Sequence, residues 1–171
     1  RIGSVSSTMQ ITSAMKMVSA AKLKKAQDAI TAMRPYSNKL SELMQSFSGA
    51  SAGGNKSYTE NRTLNKVLVV VISSNRGLCG AFNANIAKEA LVFKSKEKFR
   101  DSQIDFLTIG KKINDTLSKT ETIIQNDSDV FEELNYENVG KIADELMDRF
   151  ISNDYDHIEI IYNSFKNAAT Q

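Results

Sequence analysis

A lone cysteine, Cys79, leaves this 171-residue chain without an internal disulfide and without a second thiolate for a zinc-type metal site. That usage fits a reducing compartment. The longest uninterrupted apolar run, Val67 to Ile72, is far short of the roughly 20 residues a membrane-spanning helix needs. Membrane association is therefore expected to pass through a partner rather than by direct insertion. No charge sign dominates: 22 Lys and Arg against 20 Asp and Glu give a net charge of +2, which supplies no global drive toward nucleic acid or anionic lipid. Proline occurs once, at Pro35, and histidine once, at His157. The chain opens on Arg1 rather than methionine and shows no apolar signal segment, which reads as a processed or trimmed product with no export address in view.

What the sequence does have is periodicity. From Ile2 to Phe47 apolar residues recur in one three-four register, through Val5, Met9, Leu23, Ile30, Met33, Leu40 and Met44. Between them the apolar stripe shifts to Ile11, Met15 and Val18, so the buried face drifts around the axis. The pattern predicts one long coiled-coil helix over 1–47, about 70 Å in length at ~1.5 Å per residue. Part of it must project from a compact body. Pro35 removes a backbone donor and disfavours helical geometry at Arg34, so a kink is expected there with the helix resuming. Residues 48–64, opening on Ser-Gly-Ala-Ser-Ala-Gly-Gly, have the composition of a linker.

Beyond it, Lys66 to Ser73 is a short, β-branched, continuously apolar run of the kind found in parallel strands covered on both faces. A helix over 83–99, a strand over 104–109 closed by Gly110, a short helix over 111–117 and a small strand over 122–125 follow. Val139, Ile142, Ala143, Leu146, Met147 and Phe150 then mark the most amphipathic helix, and Ile158 to Tyr162 a last strand. Strands alternating with helices predict an α/β, Rossmann-like, mostly parallel sheet over 65–171, flanked by helices.

The turn after the first strand, Ser73-Ser-Asn-Arg-Gly-Leu-Cys-Gly-Ala-Phe-Asn83, places Gly77 and Gly80 where this fold often holds an anion. The spacing is neither a three-glycine dinucleotide fingerprint nor a phosphate loop. Arg76, Gly77, Cys79 and Gly80 therefore read as a structural turn, the glycines permitting tight packing of helix on sheet. Arg76 would reach either a phosphate or a partner carboxylate. A nucleophilic Cys79 would need a nearby base, and the one histidine precedes a distant strand, so a packed thiol and a surface histidine are the simpler reading. Asp127, Asp129, Glu132 and Glu133 lack calcium-loop spacing and read as a solvated loop. No cofactor, metal or catalytic residue is assigned.

Over residues 1–34 the helix carries Arg1, Lys16, Lys22, Lys24, Lys25 and Arg34 against Asp28, a local net charge of +5. DNA-reading basic regions are denser in Arg and Asn, so nucleic acid is not the expected partner. A solvated coiled-coil face accounts for several of the lysines. It does not supply the second helix that so long an apolar seam requires, and no later segment is long enough to be it. On these residues alone two readings stay open besides a shaft: a nucleotide-binding α/β module with a coiled-coil dimerisation arm, and a structural coiled-coil adaptor.

Four segments carry a resemblance. Ile11-Thr-Ser-Ala-Met-Lys-Met-Val18 with Ala21-Lys-Leu-Lys-Lys-Ala26, Arg34-Pro-Tyr36, Ser74 to Asn83, and Tyr162-Asn-Ser-Phe-Lys-Asn167 together resemble, in order, the signatures of the gamma subunit family of F-type ATP synthases. The resemblance implies an N-terminal and a C-terminal helix wound into an antiparallel coiled coil, with a Rossmann-like domain between them that performs no nucleotide chemistry. It implies a chain that stops at Gln171 before the rest of the sheet and the second shaft helix. It implies as partners the alpha and beta subunits of the catalytic hexamer, the epsilon subunit and the membrane c-ring, with rotation coupling proton flow to ATP synthesis or hydrolysis. Met15, Lys16 and Met17 match the segment meeting the inner loops of the catalytic subunits, and Lys22, Lys24 and Lys25 match a surface for their acidic lever region. Arg34, Pro35 and Tyr36 fall near the foot. No chloroplast-type cysteine insertion is present, so the resemblance implies a bacterial source and a peripheral place on the cytoplasmic face of the inner membrane, in preference to the mitochondrial matrix side.

Overall fold

The computed structural model of the chain describes residues 1–48, 58, 60 and 62–167. It divides into two compact units, Arg1–Asn55 and Lys56–Gln171. The first is dominated by one helix, α1, Ile2–Ser48, with Pro35 inside it. Ala, Met, Leu, Lys and Gln, all strong helix formers, supply much of its length. Thr8 and Thr12 turn their hydroxyls back onto the carbonyls of Ser4 and Thr8, at 3.0 and 2.8 Å, so that neither needs an external partner. At ~1.5 Å per residue the 47 residues of α1 extend on the order of 70 Å. The segment 48–64, read above as a linker, lies largely outside the described residues.

The second unit is an α/β sheet. Its elements run β1 (Lys66–Ile72), α2 (Phe82–Lys94), β2 (Gln103–Ile109), α3 (Lys111–Leu117), β3 (Ile123–Asn126), α4 (Tyr136–Ile151) and β4 (His157–Ile161), with short 3-10 turns at Glu97–Phe99 and Ser128–Phe131. The four strands pair in parallel in the order β3-β2-β1-β4. Side chains alternate across β1, so two cores form. Val67, Val69 and Val71 meet Ile86, Ala90 and Phe93 of α2 and Ile113 and Leu117 of α3, while Leu68 and Val70 meet Tyr155 and the half-buried Ile142 and Leu146 of α4. Helices thus cover both faces, which explains why β1 is apolar at every buried position rather than alternating.

The helix expected over 83–99 is shorter than its pattern. α2 ends at Lys94, Lys96 adopts extended backbone, and Glu97–Phe99 makes a separate turn. Phe99 then folds back to stack on Phe93 with ring centroids 4.4 Å apart. Burial of both rings outweighs continuing a lysine-rich helix into solvent.

α4 is held at its sheet side by a polar clamp. Gln125 of β3 donates to Glu145 at 2.9 Å, and Arg149 donates to Glu145 at 2.7 Å and to Gln125 at 2.9 Å. The Gln125 hydrogen bond first, then Arg149, holds the Glu145 carboxyl below its ordinary value. A carboxyl depressed in the folded state stabilises above its unfolded value and loses that contribution as pH falls through the folded one. The expected result is a small acid-dependent loosening, about 0.5 kcal/mol for a partly exposed pair. Amide protection relative to the intrinsic exchange rate should fall in α4 more than in β1 when the pH is lowered to 3, and an equal fall would remove the clamp as its cause.

Candidate functional site

Two surfaces hold the residues singled out from the sequence. The first is α1. Met15 and Met17 are 65% and 66% exposed, and Lys16, Lys22, Lys24 and Lys25 are exposed on the same helix. No carboxylate among the described residues lies within 4.0 Å of these four ammonium groups. Lys22 and Lys25 stand three residues apart and so share a face. Arg34, Pro35 and Tyr36 are also exposed, one helical stretch further on. Ile2, Val5, Met9, Ile11, Val18 and Met33 are all more than half exposed. Such exposed apolar residues at helical spacing form a stripe of the kind that another surface would bury. Within the first half of α1, cations stand beside it and carboxylates are nearly absent.

The second surface lies at the carboxyl ends of β1 and β2. Gly80 takes φ 62° and Leu78 φ 60°, so the turn holds a left-handed leucine whose side chain is fully exposed. Gly77 is different: an added Cβ would meet only Lys112 Cε, at 3.9 Å. Cys79 is half-buried, and Asn83 donates to its sulfur at 3.2 Å. The same Asn83 accepts from the Ser74 backbone N–H and hydroxyl at 3.2 and 3.0 Å, tying the start of α2 to the end of β1. His157 pairs with Val67 at the opposite, amino-terminal edge of the sheet. It contacts Glu159 through Nε2 at 2.9 Å, and the parallel strands keep it roughly 15 Å or more from Cys79 along their length. The two do not meet.

Asn75, which the sequence reading passed over, braces this edge. Its amide donates to the Ser128 carbonyl at 3.0 Å and accepts the Lys111 backbone N–H at 2.9 Å. The turns after β1, β2 and β3 are thereby joined, leaving between them an open crevice of about 820 Å³. Arg76 and Lys111 stand on its rim with Phe82, Phe131 and Glu132. The signal that would have found these residues is positional: each lies between the carboxyl end of β1, β2 or β3 and the first residue of the helix that follows. In the acidic loop Asp127 accepts from Gln125 at 3.1 Å, and Asp129 faces Lys111 at 3.8 Å.

The family profile described as ATP synthase matches residues 1–171, the whole chain. The chain belongs to the ATP synthase gamma chain family. Among curated members, the ATP synthase gamma chain of Flavobacterium psychrophilum is 61% identical over 174 residues, covering all of this chain and 59% of that protein. The gamma chain of Christiangramia forsetii is 54% identical over 173 residues and that of Geotalea uraniireducens 41% over 171, each again covering this whole chain and 60% of the relative. The chain thus spans about three fifths of the length of the gamma chains it matches. Both surfaces described above lie within the matched region, and no helix among the described residues is long and apolar enough to cross a membrane.

Proposed function

We propose that this chain supplies one helix of a two-helix rotor shaft, and most of its sheet-bearing foot, in a proton-translocating F-type ATP synthase, as a non-catalytic subunit. The observation that carries the reading is α1: a 47-residue helix in a member of the gamma chain family, with its apolar stripe and its lysines exposed. Such a helix is stable only against partners. The proposed ones are the second shaft helix of the same subunit, along the apolar stripe, and the alpha and beta subunits of the surrounding hexamer at Met15, Lys16, Met17, Lys22, Lys24 and Lys25. An asymmetric rod inside a ring of alike sites biases each site by the contacts it makes at that angle, and so selects among states the sites already sample.

The foot, with the Arg34, Pro35 and Tyr36 stretch, is proposed to meet epsilon and the c-ring, on the cytoplasmic face of a bacterial inner membrane. Domains are proposed as shaft over 1–47, linker over 48–64 and an incomplete α/β domain over 65–171. The sheet supports incompleteness. Among the described residues β4 is one of its two edge strands, and beside it Ala143, Leu146, Met147, Phe150, Ile158 and Ile160 line an apolar groove of about 290 Å³. α4 buries no residue fully.

The test uses the full-length subunit. It should co-purify with the catalytic subunits, and failure to do so would sink the reading. Replacing Lys22, Lys24 and Lys25 together by glutamine should weaken coupled ATP synthesis or assembly by about threefold or more, because exposed charge contacts are worth ~0.2–1 kcal/mol each. Coupling should also decline with added salt, and less steeply in the variant. Coupling indifferent to salt in the unsubstituted complex would count against a charged bearing surface.

A further inference from the structure

We propose that the crevice at the carboxyl ends of β1 and β2 binds a nucleoside phosphate, with Arg76 and Lys111 on the phosphate and Phe131 and Phe82 against the base. Its volume, about 820 Å³, falls within the range of small-molecule sites, and it opens at the carboxyl ends of β1, β2 and β3, the end of an open α/β sheet on which ligands sit, beside the switch point between β1 and β4. The walls are already built. Asn75 links the three turns, Gly110 N–H donates to the buried Ser128 hydroxyl at 3.0 Å, and Ser73 accepts the Ile113 N–H at 3.1 Å. A ligand would therefore find a preformed floor rather than order a loose one.

The chemistry around the opening comes in three kinds. Arg76 has no carboxylate within 4.0 Å among the described residues, and the Lys111 ammonium has only a loose one, Asp129 at 3.8 Å with both groups well exposed. Two weakly engaged cations on one rim favour an anion. Phe131 is 39% exposed although aromatic, and Phe82 lines the same opening. Exposed ring faces beside an anion site suit a planar heterocycle, since stacking is tolerant of its identity. Glu132 adds an acceptor for a sugar hydroxyl or an exocyclic amine. The absent three-glycine fingerprint fits this arrangement, because side chains and not loop amides would hold the phosphate.

This inference concerns the α/β unit alone and stands apart from the rotor reading, whose failure would show in co-purification instead. Equilibrium dialysis of labelled ADP against the 171-residue chain and, separately, the full-length subunit, both free of the hexamer and in chelator, should give saturable one-to-one binding. Arg76→Ala with Lys111→Ala, and Phe131→Ala alone, should each weaken it by on the order of tenfold or more. Inorganic phosphate and adenosine should each compete only weakly. These side chains are exposed, so the variants keep the fold, which circular dichroism verifies. Absence of saturation at millimolar ADP overturns the proposal. So does binding unchanged by the variants, and so does phosphate competing as well as ADP, which would leave the rings without a role.

Discussion

Replacing Gly110 by alanine is expected to destabilise the α/β unit by about 3 to 5 kcal/mol, the sum of a strained backbone and an overpacked core position. Gly110 closes β2 and caps α3 with φ +120°, a conformation L side chains rarely adopt. A Cβ there would lie 2.5 Å from Ser73 Oγ, 2.6 Å from the Ser73 carbonyl oxygen and 2.7 Å from its carbonyl carbon. Two of these are polar atoms of a residue that is itself pinned. Ser73 is 3% exposed, donates its backbone N–H to Ile109 at 2.7 Å and accepts from Ile113 at 3.1 Å. To relieve the clash β1 and β2 would have to part at their carboxyl ends, breaking those bonds. For a unit of this size the loss corresponds to a fall in melting temperature on the order of 15 °C. Gly77→Ala is the control. It meets one flexible lysine carbon at 3.9 Å and should stay within about 0.5 kcal/mol of the parent. Thermal melts of the two variants decide the matter, and a Gly110→Ala protein melting with its parent would show that the turn relaxes freely.

That contrast also shows how far the sequence could be read. The two glycines of the turn after β1 look alike in the sequence, yet only Gly80 has positive φ, while the sterically critical glycine is Gly110 at the next strand end. Steric need depends on what approaches from 37 residues away, which local composition does not encode. Strands were legible because β-branched runs covered on both faces carry their own signal, and α3 and α4 because apolar spacing matches 3.6. The end of α2 was not legible, since the stop comes from Phe99 finding Phe93 and from no local breaker. The basic stretch of α1 was visible as a charge pattern and the turn after β1 as a place for an anion, whereas the rest of the crevice was not, because Asn75, Lys111 and Phe131 meet only through the sheet's topology.

A second pairing hidden from the sequence carries the other large effect. Asp105 interrupts the apolar run of β2, and a carboxylate within a covered strand signals a buried polar partner. That partner is Tyr155, fifty positions on: its hydroxyl donates to Asp105 Oδ2 at 3.0 Å, with Asp105 5% and Tyr155 4% exposed. Gln103 donates to both Asp105 oxygens at 3.3 Å, and Lys66 lies 4.9 Å from the Tyr155 ring centroid. Tyr155→Phe leaves the carboxylate with Gln103 alone and should cost about 2 to 3 kcal/mol.

The same contact predicts an alkaline window. Burial first, then the hydrogen bond to Asp105 and its charge, push the Tyr155 phenol up to about 12. Below pH ~10 the phenol is protonated in both folded and unfolded chains, and its contribution is complete. Between about 10 and 12 only the unfolded chain releases the proton, so stability falls with rising pH by about 2 to 3 kcal/mol in all. Other ionisations accompany strong alkali, so the measurement is a difference. Urea midpoints of the parent and of Tyr155→Phe should lie apart at pH 8 and converge toward pH 12 as the parent loses what the variant never had. Asp105→Asn keeps an acceptor for the phenol and removes the anion, so its alkaline fall should begin at the same pH as the parent's, level off at a lower pH and be smaller in all. Parallel curves for parent and Tyr155→Phe would mean that the phenol ionises as readily folded as unfolded, and that the buried pair at the amino-terminal half of the sheet contributes no such coupling.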